Sequence, residues 1–120
     1  MTDQELFDIV ATHLLTQKCV ARTGSDNNCA YRGSNNTKCA IGVLIPDDIY
    51  RPEMEGRGVI KLMECYDEVS QLFKHITYDL LRQLQWIHDD GVVGGWLNKL
   101  ERLADNKGLN TTVLDKFKNA

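Results

Sequence analysis

Apolar positions along the chain fall into two regimes. Over residues 3–17, and again from residue 59 onward, they recur at helical spacing. Between these lies a stretch rich in Gly, Asn, Ser and Thr, where apolar residues come in short runs. Thr2-Asp3-Gln4-Glu5 has the form of a capping box, and Leu6, Phe7, Val10 and Leu14 follow it on one face, with Ile9 beside them. These signals predict a helix ending near Gln17.

Downstream, Val59, Ile60, Leu62 and Met63 open a helical segment that Val69, Leu72, Phe73 and Ile76 continue, with a break near Cys65-Tyr66-Asp67. Thr77 is placed to cap a helix through Leu80, Leu81, Leu84 and Ile87, which Asp89-Asp90-Gly91 ends. From near Gly95 another helix aligns Trp96, Leu97, Leu100, Leu103 and Ala104, and Gly108 with Leu109 supplies its stop. Val113, Leu114 and Phe117 predict a last turn or two.

In the irregular stretch a β-hairpin is expected. Cys29-Ala30-Tyr31-Arg32 forms one arm, Gly33-Ser34-Asn35-Asn36-Thr37 the turn, and Lys38-Cys39-Ala40-Ile41-Gly42-Val43 the return. Alternation then puts Cys29, Tyr31, Cys39, Ile41 and Val43 on one face. The other face carries Arg32 and Lys38 among small residues. The predicted fold class is α+β, mainly α: one small helical domain over residues 1–120, with a β-hairpin inserted after the first helix.

Composition narrows the function classes. The chain has 120 residues, 42% hydrophobic and 26% charged, with a net charge of −3. That balance argues against generic nucleic acid binding, which usually carries a basic excess. No apolar run approaches a membrane span, so no membrane partner is expected. The acidic start lacks the basic and apolar regions of a signal peptide, which points to a cytoplasmic protein with reduced thiols. Charge is uneven, however. Residues 18–61 hold seven basic against five acidic side chains, a local excess of +2.

Three chemistries compete for this segment. Tyr31, Arg32, Lys38, Tyr50, Arg51 and Arg57 lie close along the chain, and arginine forks with aromatic rings suit an anionic ligand or an acidic partner surface. Arg32, Lys38, Tyr50, Arg51 and Arg57 are therefore the candidate binding residues. Alternatively, Cys39, flanked by small residues, would be a nucleophile served by His88 and Asp89, which cluster with Gln85 at a helix end. Third, Cys19, Cys29, Cys39 and Cys65 would support a zinc-stabilised adaptor, although they lack the close ligand pairs of zinc sites. The pairs Asp47-Asp48 and Asp89-Asp90 each supply too few oxygens for a divalent cation. Gly91-Val92-Val93-Gly94-Gly95 lacks the lysine of a phosphate loop. Neither a resident metal nor a cofactor is expected. Trp86 and Trp96 are expected in the core or at an interface between copies, and exposure of Trp96 or Met54 would signal a homo-oligomer.

Cys29-Ala30-Tyr31-Arg32, Lys38-Cys39-Ala40-Ile41-Gly42-Val43-Leu44-Ile45-Pro46-Asp47-Asp48, Tyr50, Glu55-Gly56, Leu84-Gln85, His88-Asp89 and Trp96 together resemble small proteins of bacteriophage and prophage genomes. The resemblance implies a setting, the cytoplasm of a bacterial host, and no reaction. Proteins of that setting often modulate host machinery, including host defence. The expectation is a non-enzymatic accessory protein that works by stoichiometric binding of a host protein or a small anionic ligand such as a nucleotide signal.

Overall fold

The computed structural model describes residues 1–22 and 29–118. Six α-helices appear among them: α1 Asp3–Gln17, α2 Val59–Cys65, α3 Asp67–Leu72, α4 Tyr78–Asp89, α5 Trp96–Lys107 and α6 Asp115–Lys118. No helix of the described residues is long and apolar enough to cross a membrane.

α1 starts where its sequence says it should. The Glu5 N–H donates to the Thr2 hydroxyl at 3.1 Å and the Thr2 N–H donates to Glu5 at 3.0 Å, closing the capping box. Leu6, Phe7, Val10, Ala11, Leu14 and Leu15 are buried, and α1 packs against α4, α5 and the turns at residues 42–44 and 112–114. Asp3 also receives the Thr77 N–H and hydroxyl, at 3.1 and 2.7 Å. The first turns of α1 and α4 are thereby tied together, and Thr77 spends its hydroxyl there instead of on its own helix. The break between α2 and α3 falls at Tyr66, whose backbone is extended. α5 ends at Gly108, which takes a left-handed φ of 68°. Trp96 and Met54 are both fully buried, so neither marks an interface between copies.

The expected β-hairpin is not formed, and the fold is all-helical among the described residues. Only two isolated bridges exist, Arg22 with Cys29 and Arg32 with Lys38. The tip does turn: Asn35 and Asn36 adopt φ of 60° and 62°, and the Gly33 N–H reaches the Thr37 carbonyl at 2.9 Å. Beyond the tip the Cys39 N–H still reaches the Tyr31 carbonyl, at 3.3 Å, but other amides a ladder would use go elsewhere. The Tyr31 and Arg32 N–H groups donate to Glu55, the Ala30 N–H to the Ala21 carbonyl, and the Ile41 N–H to Gln85. After Cys39 the chain closes on itself, Val43 N–H to Cys39, Leu44 to Ile41 and Ile45 to Gly42. Gly42 sits so close to Tyr31 that a Cβ there would lie 1.9 Å from the Tyr31 carbonyl oxygen. Ala30, Ala40 and Gly42, assigned above to an open basic face, are buried.

Candidate functional site

One stripe of α4 faces open space. Tyr78, Arg82, Gln85, Trp86 and Asp89 recur at helical spacing and form one wall of a groove of about 500 Å³. Its floor is Ala30, Tyr31, Cys39 and Ile41, with Cys29 at one side. The facing wall is the turn Gly56-Arg57-Gly58 with Val59, and Glu55 at its edge. The volume lies within the range of small-molecule sites, about 300–1,000 Å³.

The aromatic surface here is uncovered. Trp86 is 59% exposed and Tyr78 is 42% exposed, unlike the buried Trp96. The Lys99 ammonium lies over the Trp86 ring, 5.5 Å from its centroid. Two arginines, Arg57 and Arg82, line the same groove. Arg82 is anchored to Asp79 at 2.5 Å, and Asp79 also accepts from Lys107 and Gln83. These donors hold the Asp79 carboxyl well below the usual carboxylate range. The Arg57 backbone is fixed by the Tyr31 hydroxyl, which donates to its carbonyl. Its exposed guanidinium approaches the Cys65 sulfur at 3.5 Å.

At the groove's end sits Asp89. Its Oδ1 accepts from Gln85 Nε2 at 2.7 Å and from His88 Nδ1 at 2.8 Å. Gln85 accepts the Ile41 N–H at the same time, so one side chain joins the 39–44 turn to α4 and orients Asp89. His88 is fully buried, and its ring stacks near Trp96 with centroids 5.9 Å apart. The Ala21 N–H donates to His88 Nε2 at 2.9 Å. An amide N–H can only donate, so the ring proton is on Nδ1 and points at Asp89.

Cys29, and not Cys39, is the thiol that joins this pair. The ligand-type atoms of Cys29, His88 and Asp89 lie within 4.8 Å of one another. Burial pushes the Cys29 thiol up, and the Asp89 charge and the hydrogen bond to that carboxylate add to the effect. Cys39 is 1% exposed, accepts the Gly42 N–H at 3.2 Å, and is pushed up to about 12 by burial. Neither thiol is electrostatically primed as a nucleophile. Nor does the order of groups suit catalysis by a Cys–His pair. The carboxylate accepts from both thiol and imidazole, and the second imidazole nitrogen is spent on Ala21.

The same bond bears on metal binding. A histidine that ligates a metal normally donates its other N–H to an acceptor. Ligation through Nδ1 would put a proton on Nε2, against the Ala21 N–H. The donor set Cys29, His88 and Asp89 therefore does not fit zinc without rearrangement.

The basic candidates are dispersed. Arg32 is committed to the fold: its guanidinium donates to the Ile45 carbonyl at 3.0 Å, pairs with Asp47 at 2.7 Å and lies 4.3 Å over the Tyr50 ring. Its Nε is buried with no partner among the described residues. Lys38 approaches Asp47 at 4.0 Å. The Tyr50 hydroxyl donates to Glu55 at 2.6 Å, and its phenol is pushed up to about 12 by burial and by that carboxylate. Arg51 caps the carbonyls of Asp48, Ile49 and Tyr50. Only Arg57 of the five lines the groove. The sequence reading named neither Tyr78 nor Arg82 and expected Trp86 in the core or at an interface, although their spacing on the open side of α4 is readable once Leu80, Leu81, Leu84 and Ile87 define the buried side.

No family model, curated protein or solved structure matches this chain.

Proposed function

We propose that the protein is a phage-type accessory protein that binds a small anionic ligand stoichiometrically in the groove along α4, and so withdraws a nucleotide-like signal from its host. The observation that carries this reading is the pairing of uncovered aromatic residues, Trp86 and Tyr78, with two arginines, Arg57 and Arg82, around one cavity. A planar ring stacks on the aromatics, which contributes about 1–3 kcal/mol per base in comparable sites. A phosphate or carboxylate meets the arginine forks. The ligand leaves unchanged, because the groove presents no primed nucleophile.

Titration calorimetry with 5′-mononucleotides tests this. One equivalent is expected to bind, and both Trp86→Ala and Arg57→Ala are expected to weaken binding at least tenfold without unfolding the protein. Equal binding by wild type and both variants would remove the groove from the account.

A second reading has one observation in its favour: Cys29 lies beside His88 and Asp89 in an open groove. It makes the protein a thiol hydrolase or transferase with Cys29 in the place first given to Cys39. Turnover of a thioester or activated ester that disappears in Cys29→Ser would establish it against the binding reading.

A further inference from the structure

Among the described residues, Asp89 is the groove carboxylate whose strong donors all fall on a single oxygen. Gln85 and His88 both reach Oδ1. The Cys29 thiol, a weak donor, lies beside this carboxylate, its sulfur within 4.8 Å of it. A carboxylate offers about four acceptor positions, so Asp89 retains room for one strong donor, at Oδ2. Glu55, the other groove carboxylate, already has a strong donor on each oxygen: Oε1 takes the Tyr31 N–H, and Oε2 takes the Arg32 N–H and the Tyr50 hydroxyl.

From this we infer that Asp89 selects a ligand bearing an exocyclic amino group, the amino group of an adenine or cytosine nucleotide, with the ring on Trp86 and the phosphate toward Arg57. The inference rests on the groove-binding reading above and deepens it. An amino group projects beyond its ring and reaches one oxygen alone. The ring N–H of hypoxanthine or uracil lies beside carbonyl oxygens, which would face the carboxylate and be repelled. A two-point contact to an amidine edge would need both oxygens, and Oδ1 is filled. Gln85 is the positioning residue, since it fixes Asp89 from one end and the Ile41 amide from the other.

The test compares 5′-AMP with 5′-IMP, and 5′-CMP with 5′-UMP, by calorimetry on wild type and Asp89→Asn. Each pair differs in exchange of an amino group for an oxo group and the accompanying ring proton. Wild type is expected to prefer the amino member about tenfold, the scale of one charge-assisted hydrogen bond. In Asp89→Asn, which can donate to an oxo group, the preference is expected to collapse or invert. Circular dichroism checks that the variant is folded. Equal affinity for both members, or an undiminished preference in the variant, overturns the inference and leaves groove binding standing. Absence of binding by all four nucleotides overturns both.

Discussion

Glu55 and Asp89 border the same groove and each gathers three donors, yet the donors differ in kind. Glu55 is held by two main-chain amides from the 31–32 segment and by the Tyr50 phenol, so its oxygens stand in for a missing strand. Asp89 is held by Gln85 and His88 of its own helix and by a thiol. The first carboxylate completes the backbone of a loop. The second is positioned by side chains and stays 40% exposed. A carboxylate that satisfies backbone amides belongs to the fold, whereas one oriented by side chains and left open can serve a ligand.

The contrast is broken most severely at Glu55. Glu55→Ala strips the acceptor from the Tyr31 and Arg32 amides and is expected to cost about 2–4 kcal/mol, since unsatisfied donors keep their desolvation penalty. Urea unfolding measures it, and a loss under about 1 kcal/mol would show that water replaces the carboxylate. Asp89→Ala is expected to cost less, about 1–3 kcal/mol in the same assay, because it strands one buried donor, the His88 Nδ1–H, and no main-chain amide.

A finer distinction lies in the thiols. The Asp89 charge raises the Cys29 thiol, so Asp89→Asn lowers it and increases the thiolate fraction at any pH below it. Alkylation of Cys29 between pH 7 and 9 is expected to accelerate several-fold in that variant. Cys39, raised to about 12 and buried, is expected to stay unlabelled in the native protein throughout. Rapid labelling of Cys39 would show that the 39–44 turn opens. The smallest effect is expected from Arg57→Ala on stability. Its side chain is exposed, and a change within about 0.5 kcal/mol is expected even though ligand affinity falls.

Local signals carried the helices. The capping box before α1, the break at Tyr66 and the stop at Gly108 all act within a few residues, and each was legible in the order of residues. The 29–43 segment failed for the opposite reason. Its turn residues were read correctly as permitting positive φ at Asn35 and Asn36. But its arms are governed by partners far along the chain: Glu55 for Tyr31 and Arg32, Gln85 for Ile41. No period within the segment encodes those bonds. The site shows the same division. The grouping of Gln85, His88 and Asp89 was visible from adjacency on one helix. Cys39 was preferred to Cys29 for its small neighbours, a local signal that does not say which thiol the fold brings against His88 and Asp89. Arg32 and Lys38 looked free because Asp47, Ile45 and Tyr50 approach Arg32 only after the chain turns back at Pro46.

The central claim, that the open side of α4 receives an aromatic anion, is most directly tested by nuclear magnetic resonance. The two tryptophans supply an internal comparison: Trp86 is 59% exposed in the groove and Trp96 is fully buried. On titration with 5′-AMP, the indole resonance of Trp86 and the amides near Arg57 and Asp89 should shift in a saturable way, while the Trp96 indole stays fixed. A Trp86 resonance that does not move, or shifts confined to the Arg32, Asp47 and Tyr50 cluster, would contradict the account.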